Sequence, residues 1–273
     1  MQTCAVILHY AGDYQKCMRA TMKAGVDRTI LIDNSRTNIG VAGGYKRGIE
    51  KALETDCDFI LLLDDDNILA KDALENLKLR LYQHSSLTNP KIVYTCLRRD
   101  ANLSNYIEGF INDYNAVLSL NILHPFFARR NSKPPIDEKL KKYFIELARS
   151  AKGVWGVSCS MFGGMFFHRD LIKIIGLPDE KFTMYGGDYE WSSRIEKAGG
   201  SIWVVVDAVI DEPPSGQVIE DRTYEATKGH VMFQKKLATN KFLFWINYRI
   251  YLLILLYKKD KVKRKALRDG YKA

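Results

Sequence analysis

Short apolar runs alternate with stretches of helical spacing along the first hundred residues. Residues 4–10 (CAVILHY) form one such run and predict a first strand. Residues 13–25 place Cys17, Ala20, Thr21 and Ala24 on one helical face and stop at Gly25. Residues 29–34 (TILIDN) predict a second strand that closes on an acid, and a helix follows a glycine-rich turn and runs to Leu53. Residues 59–63 (FILLL) predict a third strand, residues 71–82 another helix, and residues 93–97 a fourth strand. An unbroken apolar run marks a strand covered on both faces. Strands of that kind separated by amphipathic helices predict a parallel, right-handed α/β sheet.

Residues 98–150 break this rhythm: polar, aromatic and Asn-rich, with Pro125, Pro134 and Pro135, they predict an irregular insertion with some helix over 137–149. The apolar pattern returns at 153–168, a helix is expected over 188–198, a strand over 202–206 and a loop over 211–216. Residues 242–257 are almost wholly apolar, interrupted by Asn247 and Arg249. That run falls short of the roughly 20 residues a membrane-crossing helix needs.

Charge sharpens this picture. The chain of 273 residues carries a net charge of +9. Eight basic residues face two acidic ones between Lys258 and Lys272, so most of the excess lies directly after the apolar run. An interfacial helix with a cationic flank on an anionic membrane surface is therefore expected, the alternative being a helix buried against the domain with a solvated basic tail. Nucleic-acid binding is not expected, because the charge adjoins an apolar segment and not an aromatic-interleaved sheet face. Five scattered cysteines without CxxC spacing suit a reducing compartment, and no secretory signal is read at the N-terminus. The expected location is cytoplasmic, peripheral at the inner face of the cell membrane.

The chemistry concentrates at strand ends. Residues 59–63 run straight into Asp64, Asp65 and Asp66. Three adjacent carboxylates repel one another unless solvated or joined by a cation, so a metal site competes here with a turn that caps the next helix. Asp33 ends the preceding strand, on the same edge of a parallel sheet. Between them Gly40, Gly43 and Gly44 allow close backbone approach, to a ligand or within a turn. The run is neither GxGxxG nor GxxxxGK[ST], so dinucleotide and P-loop chemistry are not indicated. A second acidic group lies at Gly187–Arg194 (GDYEWSSR). There Asp188 suits either a helix N-terminus or a general base, and Glu190 stands four residues before Arg194 as an intrahelical pair would.

These motifs resemble, in order and spacing, the inverting family 2 glycosyltransferases of GT-A fold. The residues concerned are 32–35 (IDNS), 38–44 (NIGVAGG), 63–66 (LDDD), Gly163-Gly164 and 187–194 (GDYEWSSR), with the galactofuranosyl- and rhamnosyltransferase-like bacterial branch most similar. The resemblance covers roughly residues 3–215. It implies an α/β Rossmann-like GT-A domain over 1–235, with 98–150 as an acceptor-side insertion, and a membrane-associating segment over 236–273. It implies transfer of a hexosyl group from a nucleotide-diphosphate sugar, a UDP-sugar foremost, to a glycan or lipid-linked acceptor, with Mn2+ or Mg2+ as cofactor.

By the same resemblance Asp33 hydrogen-bonds the nucleobase, and Gly43, Gly44, Asp64 and Asp65 belong to the nucleotide site. Asp64 and Asp66 form the DxD pair on ribose and metal, and Asp188 is the base. Trp155, Gly163, Gly164, Glu190 and Trp191 line the donor-sugar or acceptor side. Two departures stand out: Gly187 replaces the first acid of the acidic motif, and Asp211 occupies the position where the family often has a metal-binding His, with His230 as another candidate. Asp65 is expected to tolerate replacement best, since it alternates away from Asp64 and Asp66. A nucleotidyltransferase and a non-catalytic nucleotide-sugar-binding protein are the competing readings.

Overall fold

The computed structural model describes residues 1–11, 13–36, 39–83, 89–99, 153–157, 159–211, 223–238 and 240–273. Eight strands make one sheet among the described residues: β1 (Thr3–His9), β2 (Arg28–Asp33), β3 (Phe59–Asp64), β4 (Ile68–Leu69), β5 (Ile92–Arg99), β6 (Val154–Val157), β7 (Met165–His168) and β8 (Ser201–Asp211). Their order is β2-β1-β3-β7-β5-β8-β4, with β6 on β8. β1 pairs in parallel with β2 and β3, and β5 with β8. β7 lies antiparallel between β3 and β5. The five long strands therefore share one direction, and the short β4, β6 and β7 run against it. The α/β, mostly parallel, Rossmann-like architecture expected from the sequence is the one observed.

Period-two geometry divides β1 and β3 between two cores. Cys4, Val6, Leu8, Ile60 and Leu62 face one helical layer, which includes α2 (Val41–Leu53) and α5 (Gly187–Lys197). Ala5, Ile7, Phe59, Leu61 and Leu63 face the other, with α1 (Tyr14–Lys23) and α3 (Ala73–Gln83). Both sides of these strands are sealed, which is why their sequence shows runs and not alternation. Each fully buried Leu contributes on the order of 2 kcal/mol, and truncating Leu62 to Ala costs about 2–5 kcal/mol once the cavity is included.

Beyond α4 (Leu171–Ile175) and α5, three helices complete the described chain: α6 (Thr223–Leu237), α7 (Lys241–Tyr257) and α8 (Lys261–Lys272). α6 runs across the boundary expected at 235/236. The C-terminal segment folds back onto it: Tyr224 donates to Asp269 at 2.6 Å, and the Lys235 ammonium to the Tyr271 carbonyl at 2.6 Å. No described helix is long and apolar enough to cross a membrane. The insertion expected at 98–150 lies outside the described residues from 100 onward, as does most of the 211–216 loop.

Candidate active site

Because the long strands are co-directional, their carboxyl ends share one edge of the sheet, where open α/β folds place ligands. That edge carries His9, Asp33, Asp64, Arg98 and Asp211 from five strands. Asp33 and Asp64 are not direct neighbours: β1 lies between them, with His9 opposite Asp33 and Leu8 opposite Asp64.

The three consecutive acids have three different environments. The Asp64 carboxylate accepts from the Tyr45 hydroxyl at 2.7 Å and lies 3.5 Å from the Arg98 guanidinium. Tyr45 is fully buried on α2, and burial beside Asp64 pushes its phenol well above the usual value, so it remains a donor. Asp65 turns back to β1. One of its oxygens meets His9 Nδ1 at 2.8 Å and accepts from the amides of Tyr10 at 2.8 Å and Ala11 at 3.0 Å. The expectation that Asp65 is the most replaceable of the three acids is corrected by these bonds. The same alternation that turns it away from Asp64 and Asp66 delivers it to the end of β1, where it anchors the backbone. Asp66 accepts from the Asn67 amide at 3.1 Å, and burial together with the charge of Asp64 raises its carboxyl above the ordinary range. Asn67 is fully buried and closes the turn by accepting from the Asp64 amide.

The glycine run has a packing role within the fold. Asn34 is buried and ties Ile39 and Gly40 to the end of β2 by accepting from the Ile39 amide and donating to the Gly40 carbonyl. The Val41 amide donates to the Thr183 carbonyl at 2.7 Å, which covers the start of α2. Gly40 has φ of 80°, and a Cβ there would lie 2.5 Å from the Thr183 backbone. Gly43 is buried beside Ile39 and Glu180, and a Cβ on Gly44 would lie 2.4 Å from the Leu8 side chain. The glycine at 44 thus lets α2 pack closely on β1, whereas a Cβ on Gly43 would make only ordinary contact with Ile39 and Glu180. Gly163 does adjoin the acids: a Cβ there would lie 2.5 Å from both Asp64 Oδ2 and Asn67 Oδ1. Gly164, at φ of 95°, links β3 to β5 by donating to Leu62 and accepting from Cys96.

Asp188 stands in the first turn of α5, behind the left-handed Gly186. Desolvation raises its carboxyl to about 6, Asp64 pushing in the same direction, while its neighbouring amides and Arg98 oppose. Arg98 is itself buried at the end of β5, where the register against β8 shifts between Cys96 and Leu97. It is a fixed cation acting on Asp64, Asp66 and Asp188 together. Asp33 is exposed, held ready by the Ser35 hydroxyl and amide, which keep its carboxyl below the usual value.

Glu190 and Trp191 are engaged elsewhere. Glu190 makes a two-pronged pair with Arg194 at 2.7 and 3.1 Å. Trp191 is fully buried among Phe162 and Phe167 and donates to the Gly176 carbonyl. An indole enclosed on all sides presents no face to a sugar. Trp155 pairs with Val204 in β6, its side chain lying outside the described residues.

The donor set suits a hard divalent cation held by few protein ligands. Asp66 carries crowding by like charge that a cation would relieve, and Asp64 is adjacent with one oxygen committed to Tyr45. Among the described residues no three His, Cys, Asp or Glu side chains gather as a metal site. Asp211 pairs with Ile68 and Arg99 at the end of β8, and His230 meets Gln234 on α6. Neither is brought into a triad with Asp64 and Asp66. One or two carboxylates, completed by water and phosphate oxygens, is a common arrangement for Mg2+.

His9, Tyr45 and Arg98 were not singled out by sequence. The polar end of the apolar run 4–10 was the only signal for His9, and Arg98 stands one residue past the expected end of β5.

No family model and no curated protein matches the chain. Among solved structures it is similar to GalNAc-T7, crystallised with UDP, GalNAc and Mn2+, at a TM-score of 0.58 and 13% identity, over 99% of this chain and 54% of that one. The chain thus spans about half the length of that relative. It also aligns with S. aureus TarS in complex with UDP-GlcNAc, at 10% identity over 96% and 74% of the two chains, but the TM-score of 0.49 is too low to argue from. At such identities the likeness to GalNAc-T7 shows a shared GT-A fold and nothing finer.

Proposed function

We propose that the chain is a metal-dependent, inverting glycosyltransferase that uses a nucleotide-diphosphate sugar. The observation that carries this reading is the strand-end cluster of Asp64, Asp66 and Arg98 with Asp188, its carboxyl raised to about 6, acting in the same field. The fold shared with a protein crystallised with UDP and Mn2+ supports a UDP-sugar. The motif resemblance supports a galactofuranosyl or rhamnosyl group and a glycan or lipid-linked acceptor.

Asp33, exposed at the outer strand, receives the nucleobase, and Asp64, oriented by Tyr45, the ribose. Asp66, with Asp64 beside it, would hold Mn2+ or Mg2+, which would neutralise charge on the diphosphate leaving group. Arg98 adds a fixed positive charge at the same place. Asp188 takes the proton from the acceptor hydroxyl as that oxygen bonds to the anomeric carbon and the bond to the diphosphate breaks. A base titrating near 6 is ionised at neutral pH yet still accepts a proton. Gly163 and Gly164 would border the donor sugar, and the motif resemblance supports Trp155 as an aromatic on the sugar or acceptor side.

The test is a screen of nucleotide sugars with Mn2+ or Mg2+, reading released nucleoside diphosphate. Release that depends on metal and disappears in Asp188→Asn is expected. Pyrophosphate release from a sugar phosphate and a nucleoside triphosphate would replace this reading with a nucleotidyltransferase. Tight nucleotide binding without release from any donor would leave a binding protein.

A further inference from the structure

α7 has two apolar faces. Phe244 and Leu255 are buried, and with Tyr248, Tyr251 and Leu252 they pack against Val231 of α6 and Leu267 of α8. The other face has no protein over it among the described residues: Phe242 is 67% exposed, Trp245 41%, Leu253 63%, Leu256 42% and Tyr257 90%. Their spacing aligns them along one side of the helix. The Phe242 and Trp245 rings stack at 6.2 Å, and the Arg249 guanidinium lies 5.1 Å over the indole. Lys241 is exposed where the helix begins, and Lys258, Lys259 and Lys261 are exposed where it ends. Soluble surfaces seldom leave so many large apolar side chains contiguous.

We propose that this face seats α7 in the plane of an anionic lipid bilayer. A helix of 17 residues is roughly 26 Å long, and no described helix meets the requirements of a span, so the helix would lie along the interface. Phe242, Leu253 and Leu256 enter the acyl boundary, Trp245 and Tyr257 sit at the level where amphipathic rings collect, and the cations meet the headgroups. Charge selects lipid over a second copy of the chain. Two such faces brought together would confront Arg249 and both basic ends with their own likeness, whereas anionic headgroups satisfy all of them. The proposal stands on this face alone and is independent of the sugar-transfer reading.

The test is flotation of the full chain with vesicles of phosphatidylcholine, alone or mixed with phosphatidylserine. Binding to the mixed vesicles at least about tenfold tighter than to the neutral ones is expected. The triple variant Phe242→Gln, Trp245→Gln, Leu253→Gln should weaken it by at least about tenfold with an unchanged thermal melt, because none of the three belongs to the buried cluster of Val231, Phe244, Leu255 and Leu267. Brominated acyl chains should quench a component of the fluorescence that Trp245→Phe removes. Equal flotation of wild type and triple variant would overturn the proposal, as would failure of the wild type to bind either vesicle. A dimer in sedimentation that the triple variant dissolves, without vesicle binding, would assign the face to a second copy instead.

Discussion

Asp65 and Asp66 are adjacent, and the structure sets them opposite fates. Asp65 satisfies two backbone amides and His9 from a position only 8% exposed. Asp65→Ala leaves those donors unmet and is expected to cost about 2–4 kcal/mol, read as a lowered denaturation midpoint. Asp66→Ala relieves a crowded carboxylate, so its midpoint should stay near wild type while metal-dependent nucleotide binding disappears in calorimetry. Asp188 gives a prediction with a sign. Its carboxyl, raised from 3.8 to about 6, means that the folded state prefers the protonated form. Ionisation therefore costs stability above pH 6, by about 1–3 kcal/mol, and the cost fades as pH falls from 6 toward 3.8. Asp188→Asn should lose turnover yet melt higher than wild type at neutral pH, with the gap closing in acid. The acidic limb of the wild-type rate profile should fall near 6, and Arg98→Gln should move it to higher pH, because the guanidinium lowers the Asp188 carboxyl. A limb that stays in place would remove Arg98 from the electrostatics of the site. Sequence showed Asp33, Asp64, Asp66 and Asp188 because acids at strand ends and helix starts leave a local trace. Tyr45 and Arg98 left none: a tyrosine inside a helix and an arginine past a strand acquire their roles only when β3, β5 and α2 converge.

The elements themselves were legible wherever burial is two-sided. The runs in β1 and β3 could not be amphipathic helices, and the helices between them showed their buried faces in period. The glycines of α2 are visible as sites of close approach, to a ligand or within a turn, but sequence does not say which body comes close. Gly48 repeats the point one turn further on. A Cβ there would lie 2.2 Å from Val6 Cγ1, the end of a stiff β-branched side chain in the core. Gly48→Ala should therefore destabilise by about 1–3 kcal/mol through overpacking, although alanine is the better helix former. A chemical melt of that variant decides between the two effects. The apolar run at 242–257 suits either a membrane surface or burial against the domain, and its composition does not divide it between the two. Half of it packs inward on Val231 and Leu267, partners set by the fold-back and not by the run itself.

At the scale of the molecule, α6 joins the C-terminal helices to the turn that carries Asp188. Glu225 accepts from the Thr183 hydroxyl at 2.6 Å, and Lys236 reaches Asp179 at 2.5 Å and Glu190 at 3.4 Å. Between these contacts Gly229 lies against the Tyr185 carbonyl so closely that a Cβ would stand 2.1 Å from that oxygen. Tyr185 and Gly186 are the residues from which α5 and Asp188 begin. The opposing atom is backbone, so Gly229→Ala cannot be absorbed by a rotamer change: α6 or the Tyr185–Gly186 turn must move. A displacement on the order of 1 Å at a reacting group can cost about a hundredfold in rate. Gly229→Ala is therefore expected to lower kcat by roughly that factor while nucleotide binding at Asp33, Asp64 and Asp66 persists, since Asp33 and Asp64 end β2 and β3 and Asp66 lies in the turn after β3, not in the Tyr185–Gly186 turn against which Gly229 packs. Lys236→Met should produce a smaller loss in the same direction, because Arg194 still holds Glu190 in place. Rates normalised to the folded fraction settle the matter. If Gly229→Ala lowers the melting temperature and leaves kcat per folded molecule unchanged, α6 only supports the domain. If kcat falls with the fold intact, the C-terminal helices set the geometry of the base.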